Sequence, residues 1–309
     1  MNHLVAIVGP TGVGKSRLAL RLAQTFDSEI VSADSRQAYR YMDIGTAKPS
    51  HKELSLVPHY LINIVNPDED FSLAQYQKLA YRAIDDIQQR NKLALLVGGS
   101  GLYVWSVLEG WGIPQVPPDP EFRYSLEKKA AKVGEDKLYQ QLMKVDPVAG
   151  QRIDRHNIRR VIRALEVQRG TETPFSQLQY KEAPPFNALI IGLTVDRVEL
   201  YRRIDLRIDE MIRQGLVDEV EKLVNMGYDS NLPAMSSIGY KQISMFLKGE
   251  LTLAAAIQQI KFETHRFVRH QYAWFQLKDD RIKWFDIKDS MGSEIVRLVA
   301  NFREAHKKQ

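Results

Sequence analysis

The stretch LVAIVGPTGVGKSRLAL, residues Leu4 to Leu20, decides the fold. Its apolar start, Val5 to Val8, is typical of a buried parallel strand, whereas Ser16 to Thr25 has the leucine spacing of a helix. Between them, Gly9 to Ser16 (GPTGVGKS) fits the pattern G-x-x-x-x-G-K-[ST]. This order of strand, glycine loop and helix predicts an α/β protein built on a P-loop-type parallel sheet.

The glycine loop predicts a binding site for a diphosphate or a triphosphate. Backbone N–H groups of such a loop and of the following helix point towards a phosphate, and the helix dipole adds to the attraction. Lys15 supplies a positive charge, and the Ser16 hydroxyl can ligate Mg²⁺. The predicted diphosphate-binding residues are Gly9, Pro10, Thr11, Gly12, Val13, Gly14, Lys15 and Ser16.

The rest of the chain alternates strand and helix patterns in a way that extends this sheet. Further strands are predicted at residues 29–33, 60–65, 93–99 and 189–195, an edge strand at 281–287, and helices at 70–90, 197–226, 241–247, 252–276 and 293–306. Such alternation predicts a parallel sheet with helices on its faces. Asp196 is the predicted N-cap of the long helix 197–226.

Prolines mark an insertion into this α/β pattern. Residues 112–120 (GIPQVPPDP) contain four prolines, and residues 121–179 then follow a helical pattern. We therefore predict a catalytic core at residues 1–113 and 186–309, with a mainly helical insertion domain at residues 114–185.

Composition limits the environments in which the chain can work. It has 309 residues, 44% of them hydrophobic, a formal charge of +5 and no cysteine. The lack of cysteine excludes disulfides and thiolate zinc sites and fits a reducing compartment. The apolar start is too short for a signal peptide or a membrane span. We expect a soluble cytoplasmic protein without membrane association, whose mildly basic charge permits a nucleic-acid partner.

A carboxylate follows the second predicted strand. The strand at 93–99 continues as GGSG, without the acidic residue that holds magnesium in many P-loop NTPases. Asp34 follows the strand at 29–33 and should lie in the ligand crevice at the carboxyl end of the sheet. From the sequence alone, Asp34 can ligate a metal, cap the next turn or act as a base.

Six blocks of sequence, in this order, resemble the tRNA dimethylallyltransferase family, also called tRNA isopentenyltransferases, in its bacterial form. They are GPTGVGKS (9–16), SADSRQAYRYMDIGTAKP (32–49), VPHYLINIVNP (57–67), LLVGGSGLY (95–103), VDPVAGQRIDRHNIRRVIRALEV (145–167) and SSIGYKQ (236–242). The resemblance implies transfer of a dimethylallyl group from dimethylallyl diphosphate to N6 of adenosine 37 in tRNA. It also implies that the helical insertion grips the anticodon stem-loop and that the protein is a monomer.

The resemblance implies roles for particular residues near the glycine loop. Lys15, the loop N–H groups and Mg²⁺ near Ser16 would stabilise the leaving diphosphate, and Asp34 would accept a proton from N6 as general base. Thr11 would face both substrates. An arginine of the segment YRRIDLRIDEM, either Arg203 or Arg207, would help to bind the diphosphate.

The implied tRNA-binding residues include an arginine-rich segment. They are Asp34, Ser35, Arg36, Gln37, Ser100, Arg123, Arg155, Arg159, Arg160 and Arg163. Residues 151–170 carry six arginines against two acidic residues, and Arg152, Arg155, Arg159 and Arg163 have the spacing of one helical stripe. This excess favours contact with a phosphate backbone; the alternative interpretation is a solvated helix surface.

Other functions remain open at this point. One is a P-loop kinase of a small molecule with ATP in the loop; another is an RNA-binding protein with a vestigial loop, which the intact Gly14-Lys15-Ser16 disfavours. His265 and His270 stand where the family usually has arginines, so we expect weaker contacts there.

Overall fold

A computed structural model of the chain describes residues 2–287 and 291–305. Within these residues the chain forms six strands: β1 (Asn2–Val8), β2 (Ser28–Ser32), β3 (His59–Tyr60), β4 (Leu93–Val97), β5 (Phe186–Thr194) and β6 (Ile282–Asp286). They form one parallel sheet in the order β3-β2-β4-β1-β5-β6. The predicted parallel α/β fold is confirmed, with β6 as an edge strand.

Helices cover the sheet and form the insertion. The same described residues contain thirteen α-helices: α1 (Lys15–Phe26), α2 (His51–Leu56), α3 (Leu73–Gln89), α4 (Gly101–Leu108), α5 (Pro120–Val133), α6 (Glu135–Val145), α7 (Pro147–Arg152), α8 (Ile158–Thr171), α9 (Arg197–Arg213), α10 (Leu216–Asn225), α11 (Tyr240–Leu247), α12 (Leu253–Trp274) and α13 (Met291–Ala305). The predicted closing helix corresponds to α13, and its last predicted residue, 306, lies outside the described residues. Asp196 caps α9 as predicted, because its carboxylate accepts the N–H groups of Val198 and Glu199.

The centre of the sheet is buried on both faces. Every residue of β2 and β4 is buried, without the alternation of a strand that faces water on one side. β1 lies between β4 and β5, with Val5 opposite Leu95 on one side and Leu189 on the other. The carboxyl end of β1, where the glycine loop begins, therefore lies in the middle of one edge of the sheet.

Two predicted elements are wrong. The predicted strand 60–65 ends at Tyr60, because Leu61 and Asn63 have φ values of 64° and 57°, which a strand cannot accommodate. The predicted long helix 197–226 is two helices, α9 and α10. Gly215 separates them with a φ of 98°, which ends the first helix and starts the second.

The chain divides into two compact units. The first comprises Met1–Leu108 and Pro184–Gln309 and contains the sheet; the second, Glu109–Ala183, contains α5 to α8. The sequence placed this insertion at residues 114–185. The second unit has its own core, which includes Leu126, Leu138, Leu142, Val161 and Leu165. Within the described residues of both units, no helix is long and apolar enough to span a membrane.

A buried carboxylate ties β2 to its neighbours at the end of the sheet opposite the glycine loop. Glu29 is 1% exposed and accepts hydrogen bonds from both terminal nitrogens of Arg90, at 2.6 and 2.7 Å. The Tyr60 hydroxyl donates to it at 2.8 Å, and Lys92 Nζ lies 3.2 Å away. The Arg90 hydrogen bonds, supported by Tyr60 and Lys92, outweigh the effect of burial and lower the pKa of Glu29 to about 2.

Replacement of Glu29 by Gln should make the free energy of unfolding less dependent on pH in the acid range. The pKa of Glu29 is lower in the folded state than its ordinary value of 4.5, so the ionised group stabilises the fold above pH 4.5 and this contribution is lost as the pH falls towards 2. The advantage of the wild type in unfolding free energy should shrink by about 1.4 kcal/mol per pH unit over that window. Urea unfolding at about pH 7, 4 and 3 measures it; an advantage independent of pH would contradict the assignment.

Candidate active site

The glycine loop, residues 9–14, connects β1 to α1 through a left-handed backbone. Gly9, Gly12 and Gly14 have φ values of 139°, 80° and 98°, which residues with a side chain rarely adopt. A Cβ atom on Gly9 would lie 2.4 Å from the carbonyl oxygen of Leu193. The loop therefore requires glycine where it leaves β1.

Lys15, the first residue of α1, places its ammonium group over the loop. Nζ donates to the carbonyl oxygens of Gly9 at 2.9 Å and Pro10 at 2.7 Å. Burial lowers the pKa of Lys15 to about 7; the charge of Asp34 opposes this shift and that of Arg207 adds to it. A bound phosphate would favour the charged form of the lysine, because it brings an opposite charge next to the ammonium group.

Two cavities meet beside the loop. The first, which we name the phosphate cavity after the ligand predicted for the glycine loop, has a volume of about 670 Å³. It is lined by the glycine loop and the start of α1, including Gly12, Gly14, Lys15 and Ser16. The apolar cavity, of about 470 Å³, is lined by α9, α10 and α12, including Ile204, Ile208, Met211, Leu216 and Ile260. Thr11, Asp34, Thr46 and Arg207 line both cavities, so these four residues form the junction between them.

The two cavities bring together many of the sequence-predicted residues. Those on the phosphate cavity are Thr11, Gly12, Gly14, Lys15, Ser16, Asp34, Gln37, Arg203 and Arg207, and those on the apolar cavity are Thr11, Asp34, Ser35, Arg36, Ser100 and Arg207. Gly9, Pro10 and Val13 line neither cavity. They are buried, and the Val13 side chain packs in the hydrophobic core, so these three residues shape the loop.

Asp34 caps a turn and also faces the junction. Its Oδ1 atom accepts the N–H of Arg36 at 2.9 Å, which confirms the capping interpretation. Among the described residues, Oδ2 has no hydrogen-bond partner. Ser100, at the carboxyl end of β4, accepts the N–H of Ser35 at 3.1 Å and so fixes the turn next to Asp34. One carboxylate oxygen is therefore held in place while the other is available to a ligand.

The structure shows that Arg203 and Arg207 have different surroundings. Arg203 Nε donates to Glu199 at 2.7 Å, so its charge is already paired. Arg207 makes no salt bridge within the described part of the chain and lines both cavities. Burial lowers the pKa of Arg207, and the charge of Asp34 opposes the shift. Arg207 is the arginine that faces the junction unpaired.

Glu219 on α10 is a residue that the sequence did not reveal. Its carboxylate accepts the N–H groups of Asp43, Ile44 and Gly45 at 2.9, 2.8 and 3.2 Å, and the hydroxyl of Tyr240 at 2.6 Å. The loop it holds continues into Thr46 at the junction of the cavities. No local signal identifies this role, because Glu219 lies far along the chain from the loop.

The side chains at positions 265 and 270 have different surroundings. The His265 ring stacks on Tyr201 with centroids 4.0 Å apart, and its Nε2 atom lies 2.9 Å from Asp205. His265 thus packs α12 against α9. His270 lines the apolar cavity.

In the second unit, the prediction of one arginine stripe is wrong. Arg152 ends α7, Arg155 lies in the following turn, and α8 begins only at Ile158. The arginines also differ in their partners. Arg123 and Arg163 both bind the buried Glu166, at 2.7 and 2.5 Å. Burial by itself would raise the pKa of Glu166, but the hydrogen bonds led by Arg123 lower it overall.

The exposed arginines of this unit are the ones free to meet a ligand. Arg159 and Arg160, in the first turn of α8, are exposed and make no salt bridge among the described residues. Arg155 lies 3.7 Å from Asp136, and both side chains are more than half exposed. Arg123 and Arg163 are paired with Glu166, and their side chains are 39% and 30% exposed.

The cavity has a donor set that fits a magnesium ion brought by a ligand. The described residues contain no group of three or more His, Asp or Glu side chains that would hold a metal by themselves. Ser16, Asp34 and Glu53 line the phosphate cavity. Mg²⁺ commonly binds one or two protein oxygens together with substrate phosphates and keeps several waters. Ser16 is thus suited to be a protein ligand of Mg²⁺ that arrives with a diphosphate.

The sheet, the glycine loop and Lys15 define a P-loop-type α/β protein whose glycine loop lies at the carboxyl end of the strands. The model of the IPP transferase family matches residues 37–278. The chain belongs to this family.

Individual relatives cover almost the whole chain. The tRNA dimethylallyltransferase of Dehalococcoides mccartyi (strain 195) is 51% identical over 299 residues, which are 97% of this chain and 92% of the relative. The protein of the same name from Chloroflexus aggregans is 54% identical over 276 residues, 89% of this chain and 93% of the relative. The crystal structure of a tRNA isopentenylpyrophosphate transferase from Bacillus halodurans is similar with a TM-score of 0.74 and 39% identity, covering 100% of this chain and 99% of that one.

Arg207→Gln should weaken binding of inorganic diphosphate by about 10–100-fold, because a charge-assisted hydrogen bond is lost. Arg203→Gln is the matched control, since Arg203 lies on the same helix and the same cavity but is paired with Glu199. It should change the affinity by less than about threefold. Isothermal titration with Mg²⁺-diphosphate measures both variants. Equal losses for both arginines would contradict the distinction between them.

Proposed function

We propose that this protein transfers the dimethylallyl group of dimethylallyl diphosphate to N6 of adenosine 37 in tRNA and releases diphosphate. The observation that carries the proposal is the junction, where Thr11, Asp34 and Arg207 border both the phosphate cavity and the apolar cavity. A transferase needs a donor site and an acceptor site that meet at the reacting atoms. The relatives from D. mccartyi and C. aggregans bear the name tRNA dimethylallyltransferase, which supports this assignment.

In the donor half of the reaction, the bond between the allylic carbon and the diphosphate oxygen breaks. Negative charge develops on the leaving oxygen, and Lys15, Arg207 and the N–H groups of the glycine loop beyond Thr11 would stabilise it. Ser16 would be the protein ligand of a Mg²⁺ ion that arrives with the diphosphate, and that ion would neutralise the diphosphate further. The allylic cation character is stabilised by resonance, so most of the protein's contribution falls on the leaving group.

In the acceptor half, N6 of the adenine forms a bond to the same carbon and loses a proton. Asp34 accepts this proton through Oδ2, because Oδ1 already holds the N–H of Arg36. The adenine must leave the base stack to reach the junction. Ser35, Arg36, Gln37 and Ser100 surround Asp34 and would contact the extruded nucleotide.

The helical unit supplies the contact with the anticodon stem-loop in this proposal. Arg159 and Arg160 are exposed and unpaired with carboxylates among the described residues, which suits them to phosphates of an RNA backbone. We place the reaction in the cytoplasm, in line with the cysteine-free sequence, and assign the active species as a monomer, as the resemblance implies.

One assay tests the proposed function. The protein is incubated with Mg²⁺, dimethylallyl diphosphate and an unmodified anticodon stem-loop, and the RNA is examined by mass spectrometry. The proposal predicts a gain of one C5H8 unit on the RNA. In a parallel incubation to which ATP is added, ATP consumption without RNA product would indicate the small-molecule kinase instead. RNA binding without turnover would indicate a binding protein, and either result would reject the proposal.

Asp34→Asn should lower single-turnover prenyl transfer by about 10²–10⁴-fold. Asparagine keeps a side-chain oxygen that accepts the Arg36 N–H, so the turn survives while the base is removed. Rapid-quench measurement with saturating RNA gives the rate, and RNA affinity should change by less than about threefold. A rate within threefold of wild type would remove Asp34 from the role of base.

Arg159→Ala and Arg160→Ala should each weaken anticodon stem-loop binding and reduce the salt slope by about one unit. Neither should lower the melting temperature, because both side chains are exposed. Arg163→Ala is the contrasting variant: it should destabilise the helical unit, because it removes one partner of the buried Glu166. Fluorescence anisotropy against salt and thermal melts measure these effects. An unchanged salt slope in both exposed-arginine variants would exclude this surface as the RNA contact.

A further inference from the structure

A buried glutamine bridges the glycine loop and the turn after β4. Gln271 lies in the last turn of α12 and is 4% exposed. Its Oε1 atom accepts the N–H of Thr11 at 2.8 Å, and its Nε2 atom donates to the carbonyl oxygen of Gly99 at 3.1 Å. Both ends of one side-chain amide are therefore used to connect two backbone segments that meet the cavities.

The turn is shaped to receive this side chain. A Cβ atom on Gly99 would lie only 2.2 Å from Gln271 Nε2. Position 99 must therefore be glycine for the amide to approach the backbone this closely. The next residue, Ser100, accepts the N–H of Ser35 beside Asp34. A short series of contacts thus runs from Thr11 through Gln271, Gly99 and Ser100 to the turn that carries the carboxylate.

The bridge also limits which loop N–H groups can bind phosphate. Thr11 N–H is committed to Gln271, so in this arrangement the phosphate is left to the later loop N–H groups, to Lys15 and to Arg207. Thr11 and Asp34 lie at the junction where donor and acceptor must meet. A change of about 1 Å in their separation is enough to lower a rate by about 10²-fold.

We propose that Gln271 is a positioning residue that sets the distance between the glycine loop and Asp34, through its two hydrogen bonds to Thr11 and Gly99. This inference rests on the proposed prenyl transfer. Both ends of its amide are already hydrogen-bonded to the backbone, so this role requires Gln271 neither to take a proton nor to form a bond to substrate. Its effect falls on the rate of the chemical step more than on the binding of either substrate.

Two substitutions at this position separate positioning from simple packing. Gln271→Met keeps the approximate volume and removes both hydrogen bonds, so single-turnover transfer should fall by about 10²-fold at every pH. Gln271→Glu keeps the acceptor for Thr11 but, when ionised, cannot donate to Gly99 O and faces that oxygen with a negative charge. When protonated, the acid regains a donor, and burial favours its neutral form.

The expected signature is therefore a rescue by acid. At pH 8 the single-turnover rate of Gln271→Glu should be about 10²-fold below that of the wild type. At pH 6 this deficit should be smaller by a factor of about ten or more, whereas the deficit of Gln271→Met should be the same at both pH values. The comparison with wild type removes the effects of other ionisable groups on the site. These are Asp34, Arg36, Tyr103, Arg207, Tyr240 and His270 around the apolar cavity, and Lys15 on the loop.

Gln88→Glu is the matched control. Gln88 on α3 likewise donates to a backbone carbonyl, that of His3 at 2.9 Å, at the opposite end of β1 from the glycine loop. Its rate should stay within threefold of wild type at both pH values. Substrate saturation should show that the KM values of the Gln271 variants change less than their kcat values.

The outcomes distinguish this inference from the proposed function. If the wild type forms no prenylated RNA, the proposed function fails. If the wild type is active and Gln271→Met is within threefold of it, or if Gln271→Glu shows no relative gain at low pH, the positioning role is rejected. If Gln271→Met does not fold, the pH profile of Gln271→Glu decides alone.

Discussion

At the junction of the two cavities, two positively charged side chains lie near a single carboxylate. Lys15 and Arg207 both interact with Asp34, and burial lowers the pKa of each, that of Lys15 to about 7. Among the described residues, neither cation has a salt-bridge partner, and Asp34 alone cannot neutralise both. The junction therefore has an excess of positive charge in a desolvated place, which is costly unless an anion offsets it. The rest of the site is arranged around this need.

The topology explains why these groups meet. Parallel strands place their carboxyl ends at one edge of the sheet, so the glycine loop after β1, Asp34 after β2 and Ser100 after β4 come together there. α9 carries Arg207 to the same edge, and Glu219 on α10 and Gln271 on α12 hold the adjoining loops by backbone hydrogen bonds. An anion in the phosphate cavity and an acceptor in the apolar cavity would meet at Asp34. In the proposed reaction, the leaving group and the nucleophile would therefore occupy separate cavities.

The sequence predicts the parts of the site that are local. The strand, loop and helix of residues 4–25 follow from hydrophobic spacing and the glycine-lysine pattern, and Asp34 follows from its place after a strand. The predicted strand at 60–65 is wrong because Leu61 and Asn63 adopt a left-handed backbone. Neither residue is glycine or proline, so the sequence does not indicate this conformation. Gly215 does lie within the predicted long helix. Because helices often tolerate an internal glycine, its presence alone does not show that the helix ends there.

Contacts between distant segments could not be predicted in this way. The distinction between Arg203 and Arg207 depends on which cavity each side chain faces, and Glu219 and Gln271 act on loops far from them in the chain. In the helical unit, the sequence shows the excess of arginines but not that Glu166 is buried and binds Arg123 and Arg163. Charge excess identifies a basic segment; only the fold shows which charges are already paired.

A crystal structure of the protein with a non-hydrolysable dimethylallyl thiodiphosphate and an anticodon stem-loop would show most directly whether donor and acceptor meet at Asp34. We expect the diphosphate in the glycine loop against Lys15 and Arg207, and an extruded adenine whose N6 lies about 3 Å from Asp34. An adenine bound away from Asp34, or a diphosphate bound outside the phosphate cavity, would contradict it.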